Sequence, residues 1–212
     1  MQVFILLALS LTATPQIQDG SLLTLEHSNK PVAQITGSSI THVALVFNHG
    51  GTPWVYEATP AQARRLTLTE YQLELGELNR NRSQPTSVSV LEPSYPYSET
   101  QIERMRSFAV SQIGRRYSIK GYVRGKESDG IHCAHLAAAT LEASGRFKFD
   151  EAYAISPGEL VANVRALHKS PVRLTIEAGK TDESWCERSW TAWFNYGAWC
   201  RWACYETWTF CR

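Results

Sequence analysis

Residues 41–59, THVALVFNHGGTPWVYEAT, constrain the fold more tightly than any other stretch of the 212-residue chain. Two runs rich in Val, Phe, Tyr and Trp flank Asn48, His49, Gly50 and Gly51, the pattern of two antiparallel strands joined by a tight turn. Side chains alternate between the two faces of a strand, so the turn position decides which residues meet. A turn centred between His49 and Gly50 sets His42 directly across from Glu57, with Cβ atoms about 5 Å apart. A histidine facing a carboxylate suits an orienting pair, in which the carboxylate fixes the ring's tautomer and supports its protonated form. An ordinary cross-strand ion pair meets the same spacing.

Other segments supply more strands and then helices. Residues 21–28 and 30–36 read as short extended segments, residues 86–93 as a further strand, and residues 170–179 as the last one. Ser98 and Gln101 form a capping box that opens a helix with Ile102, Met105, Phe108 and Ala109 on one face and Gly114 at its end. A second helix starts near Cys133, turns Leu136, Ala137, Thr140 and Leu141 inward and closes at Gly145. Ser156, Pro157 and Glu159 announce a third. The expected fold class is α+β, an antiparallel β-sheet packed against helices.

Cys133 stands apart from the other four cysteines, which crowd into the last 27 residues. A sulfur in the first turn of a helix faces unpaired backbone N–H groups and the positive end of the helix dipole, and both favour thiolate over thiol. A small buried hydrophobe is the other reading of a lone cysteine. With His42 as proton shuttle and Glu57 steadying it, Cys133 would attack an acyl carbon, its own backbone N–H serving as one oxyanion donor. His132 and His135 flank the thiol, but adjacent positions on a helix point in different directions, so no metal site is expected. His135 reads as a pocket-wall residue, Ser39 as a turn cap or a substrate contact, and Tyr56 and Tyr117 as pocket-lining residues.

The ends of the chain differ from its middle. MQVFILLALSLTA, the first thirteen residues, is apolar yet too short to span a bilayer, which suits a signal peptide and export to the periplasm or cell exterior. A buried first strand or helix fits the same residues. Six of the seven tryptophans lie beyond residue 180 with Cys186, Cys200, Cys204 and Cys211, which reads as an extension stapled by disulfides. Such an extension suits contact with cell wall or a membrane surface, or a flap over one edge of the domain. With net charge +1 and no basic, aromatic-interleaved run, no nucleic-acid partner is expected. The implied division is a leader at 1–18, a domain at 19–180 and an extension at 181–212.

Four motifs in order, GSSITHVALV with His42, WVYEAT with Glu57, IGRRYS, and HCAHL with Cys133, resemble the circularly permuted papain-like cysteine hydrolases, the YiiX-like branch of the NlpC superfamily. The resemblance covers about residues 19–168. It implies a permuted papain-like fold in which Cys133 is the nucleophile at a helix N-terminus, His42 the general base and acid, and Glu57 the residue orienting the imidazole. It further implies amide or ester hydrolysis through an acyl-thioester, on cell-wall peptide or lipid acyl substrates, with no cofactor. Acyl transfer to an acceptor other than water runs through the same intermediate, and a wall- or membrane-binding protein on the same scaffold is the non-enzymatic alternative.

Overall fold

The computed structural model describes residues 17–80, 82–176, 197, 200–206 and 208. Its centre is a six-stranded antiparallel sheet in the order β4-β3-β2-β1-β5-β6. The strands are β1 (Ser21–Glu26), β2 (Ile40–His49), β3 (Thr52–Ala58), β4 (Ala63–Thr67), β5 (Ser87–Leu91) and β6 (Val172–Leu174). The helices are α1 (Lys30–Thr36), α2 (Leu68–Asn79), α3 (Glu99–Ser111), α4 (Lys120–Arg124), α5 (Cys133–Ala143) and α6 (Pro157–Val164).

Both faces of the sheet are covered, and strand alternation sorts the apolar residues between them. Leu22, Val43, Leu45, Phe47, Tyr56 and Leu91 pack with Met105 and Ala109 of α3, with Ala134, Ala137, Ala138 and Leu141 of α5, and with Leu160 and Val164 of α6. On the opposite face Leu23, Leu25, Ala44, Val46, Val55 and Val88 meet Leu68, Tyr71 and Leu75 of α2. Every one of these is buried. The capping boxes at Ser98–Gln101 and Ser156–Glu159 form as the sequence implies.

Several expectations are corrected. The hairpin turns between Gly50 and Gly51, so His49 pairs with Thr52 and Leu45 with Tyr56. Both glycines have positive φ, 57° and 80°, which a two-residue hairpin turn demands at both central positions and glycine adopts without steric cost. Residues 30–36 are helical, not extended: Asn29 accepts from the Val32 N–H at 3.2 Å, and Gly37 ends the helix in the left-handed region. The strand β4 and the helix α2, the latter opened by a Thr67–Glu70 capping box, fill a region the sequence left without elements. Ile17 is buried in the core and Gln18 bonds Glu92, so the packed domain already includes two residues assigned to the leader. Residues 1–16, which hold the signal-peptide expectation, lie outside the described residues, as do 177–179 of the expected last strand.

Of the C-terminal extension, residues 200–206 are helical and dock on the domain. The Trp202 indole donates from Nε1 to the Tyr117 carbonyl at 3.2 Å and sits edge-on to the Tyr117 ring, while Ser118 Oγ and Glu206 Oε2 are 3.0 Å apart. This part of the extension is a flap over the Tyr117 edge. Cys200 and Cys204 form no disulfide among the described residues. Cys186 and Cys211 lie outside the described residues.

The loop leading into α5 is held by close backbone approach. Arg115 donates to the carbonyls of Ser128, Asp129 and Gly130, and Ile131 N bonds Arg116 O at 2.9 Å. A Cβ on Gly130 would lie 2.2 Å from Ser118 Cβ and 3.0 Å from Arg116 O, both parts of a packed strand-like segment with no room to yield. Gly130→Ala is therefore expected to destabilise the protein by about 1–3 kcal/mol, read as a lowered denaturant midpoint with unchanged slope.

Candidate functional site

The ladder between β2 and β3 ends at Leu45 and Tyr56, yet β2 continues back to Ile40 against β1 and β3 runs on to Ala58 against β4. The two strands part at that end of the sheet. Extending the ladder would set Glu57 across from Ala44, two residues from the expected partner. A shift of two preserves the face, so His42 and Glu57 still meet diagonally, with His42 Nε2 2.7 Å from Glu57 Oε2.

Glu57 is only 3% exposed, and burying a carboxylate without partners is costly. Its second oxygen, Oε1, accepts from Arg64 Nε at 2.9 Å and Nη2 at 2.7 Å. Arg64 stands directly across from Glu57 on β4, and its guanidinium also reaches Glu74 of α2 at 2.5 and 3.1 Å. Burial by itself would push the Glu57 carboxyl up, but the His42 hydrogen bond and charge, then Arg64, hold it below its ordinary value. Burial likewise works against the Arg64 charge, and the two carboxylates more than restore it.

Cys133 is the first residue of α5 and is 5% exposed. His132 caps the helix: its Nδ1 accepts from the His135 N–H at 3.3 Å, while Nε2 lies 2.9 Å from the Tyr153 carbonyl. Among the described residues no acceptor engages the N–H groups of Cys133 and Ala134, which face outward at the positive end of the helix.

The thiol and the His42 imidazole bear on each other electrostatically. Burial pulls His42 down, but the charge of nearby Cys133, then the Glu57 bond and charge, push it up to about 10. Burial pushes the Cys133 thiol up, but the His42 charge, then the neighbouring His132 imidazole, bring it down to about 5. Between these values the favoured state is a thiolate beside an imidazolium whose far nitrogen is held by a carboxylate. That arrangement can attack an electrophilic carbon and protonate what leaves.

The remaining expected residues divide. Tyr117 is buried against Ile131 and Leu136 beside the Cys133 helix, and the charge of Cys133 adds to burial in raising its hydroxyl well above the usual range. Tyr56 shares a core cluster with Cys133 and stacks edge-on to Phe47, with ring centroids 5.6 Å apart. His135 is buried with its ring 5.8 Å from that of His132, and burial, then His132 and Arg115, lower it to about 4. Ser39, just before β2, is exposed, and its hydroxyl donates toward Glu26 Oε1 at 3.4 Å. Sequence reasoning missed Arg64 and also Tyr71, whose buried hydroxyl has no hydrogen-bond partner among the described residues. The Thr67–Glu70 box signals the helix that carries Tyr71, whereas ARRLT marks a strand without saying which of Arg64 and Arg65 faces Glu57.

Among the described residues no group of three or more His, Cys, Asp or Glu side chains is placed to hold a metal ion. His132 commits both ring nitrogens to the backbone, and His42 commits one to Glu57.

Neither protein-family profiles nor curated proteins return a match to this sequence. Among solved structures, the metalloprotein YiiX from Escherichia coli O157:H7, a DUF1105 protein, is similar with a TM-score of 0.54 and 12% identity, covering 77% of this chain and 99% of that one. The chain thus has a fold similar to that of YiiX, a mixed α and β architecture around an antiparallel sheet.

Proposed function

We propose that this protein is a cysteine hydrolase of permuted papain-like architecture, acting on amide or ester bonds through an acyl-thioester. The observation that carries the reading is the 2.7 Å bond between His42 and Glu57 beside a thiol at a helix N-terminus. With Nε2 on Glu57, Nδ1 is the His42 nitrogen left for the sulfur. The Cys133 thiolate adds to the acyl carbon, forming the C–S bond while the carbonyl oxygen takes up charge near the N–H groups of Cys133 and Ala134. The intermediate collapses with cleavage of the bond to the leaving amine or alcohol, which receives the His42 proton. Water then gives a proton to His42 and attacks the thioester, releasing the acid and restoring the thiolate. An acceptor alcohol or amine in place of water makes the same chemistry an acyl transfer.

Export, and wall-peptide or lipid acyl substrates, belong to this reading. They are supported by the apolar run at the N-terminus and by the tryptophan-rich extension, of which Tyr205 and Trp208 are exposed. The solved neighbour is a metalloprotein, but the donor set here does not fit a metal centre: His132 spends both ring nitrogens on the backbone, His42 spends one on Glu57, and the described residues hold no cluster of three His, Cys, Asp or Glu placed for an ion. No step above passes through a metal.

Alkylation of Cys133 by iodoacetamide, followed on its own peptide by mass spectrometry, is expected to rise with a midpoint near pH 5. His42→Ala removes the largest influence lowering the thiol, so labelling at pH 6 is expected to fall about 100-fold or more. A Cys133 profile resembling a free thiol in the unsubstituted protein rejects the reading. Glu57→Gln removes a hydrogen-bonded charge from His42, and an NMR titration of that imidazole is expected to show its value falling from about 10 by roughly one unit or more.

A further inference from the structure

Glu57 does not end the chain of charges. Arg64 grips the oxygen that His42 leaves free, and Glu74 grips Arg64 from α2. Thiolate, imidazolium, carboxylate, guanidinium and carboxylate thus alternate in sign from the buried helix end to the surface, where the Glu74 side chain is 51% exposed. From His42 outward each member is held to the next by direct hydrogen bonds, and neither Arg64 nor Glu74 touches the reacting sulfur.

We propose that Arg64 and Glu74 are positioning residues for the candidate hydrolase site: together they fix the Glu57 carboxylate so that one oxygen faces His42, and they set the pH window in which the thiolate–imidazolium pair exists. This rests on the hydrolase reading above. Arg64 holds Oε1 with Nε and Nη2 of one guanidinium edge, which restrains the carboxylate from rotating away from the imidazole. Its positive charge partly offsets that of Glu57, and Glu74 in turn offsets Arg64.

The signs follow from removing one charge at a time. Without the guanidinium, Glu57 bears on His42 with its full charge and stabilises the imidazolium, while a positive charge is lost from the surroundings of the thiolate. Both the His42 and the Cys133 transitions therefore move to higher pH. Without the Glu74 charge, Arg64 offsets Glu57 more strongly, and both transitions move down. The other titratable groups facing the cluster are Tyr71 on α2, His132 at the start of α5, and Tyr117 with Glu206 beyond it. Of these, Tyr71 feels Arg64 and Glu74 directly, but burial holds its hydroxyl well above the ordinary range, so it stays neutral through the pH range of the test.

The test compares the pH dependence of Cys133 alkylation in the full chain, in Arg64→Met and in Glu74→Gln, read on the Cys133 peptide. Arg64→Met is expected to raise the midpoint by about one pH unit and Glu74→Gln to lower it by a few tenths, opposite directions that loosening of the fold cannot produce. Glu74 is on the surface, so its variant keeps the test decisive if Arg64→Met fails to fold. Unchanged midpoints, or shifts in the same direction, overturn the assignment while leaving the hydrolase reading standing. A free-thiol profile in the unsubstituted protein overturns both.

Discussion

One buried carboxylate organises this molecule. At 3% exposure Glu57 has no water to solvate its charge, and a bare carboxylate in such a place would take up a proton instead. The protein supplies a partner for each oxygen, His42 for one and Arg64 for the other. Those two demands link three consecutive strands, β2 through His42, β3 through Glu57 itself and β4 through Arg64, and they reach α2 through Glu74. Much of the edge of the sheet is thus arranged around a single ionised group. Breaking one such contact leaves a charge stranded, which is why a buried ion pair is worth more to geometry than to net stability.

The same end of the sheet shows how groups from opposite faces come together. His42 and Glu57 sit on the α2 face, as do Ala44, Val46 and Val55, while α5 packs on the other. A continuous sheet would keep a sulfur on α5 apart from them. Because the β2–β3 ladder stops at Leu45 and Tyr56, the strands part there, and the opening lets the first residue of α5 and the imidazole bear on each other electrostatically. Arg115 and the close approach at Gly130 hold the entry to α5 in register with the segment carrying Tyr117. The described part of the C-terminal extension then covers the outer side of Tyr117.

What the sequence reveals follows from the kind of signal each element leaves. His42, Glu57 and Cys133 were legible because strand alternation and a helix start each convert spacing into direction. The hairpin survived a misplaced turn only because the true turn moved the partner by two residues, which leaves the face unchanged. Arg64 was not legible, since Arg64 and Arg65 are adjacent and only the β3–β4 register says which one faces Glu57. The helix α2 was missed because its buried residues Leu68, Tyr71 and Leu75 are interspersed with exposed Leu73 and Leu78, blurring the periodicity. For α1, seven residues with none buried leave no apolar stripe to find, and its Asn29 cap and Gly37 terminus were the remaining clues.

The alternation of charge has a further physical consequence, because its members lie at different depths. The inner pair, Cys133 and His42, interacts where solvent and salt penetrate least, so its mutual stabilisation is strong and insensitive to ionic strength. Arg64 is about a third exposed and Glu74 about half, so their pairing is weaker and screened. A group at the surface therefore bears on the buried thiol weakly through its screened charge and more firmly through contacts that hand orientation inward, from guanidinium to carboxylate to ring. It is geometry, carried by hydrogen bonds with both oxygens of Glu57 engaged, that couples the outside of this fold to its sulfur.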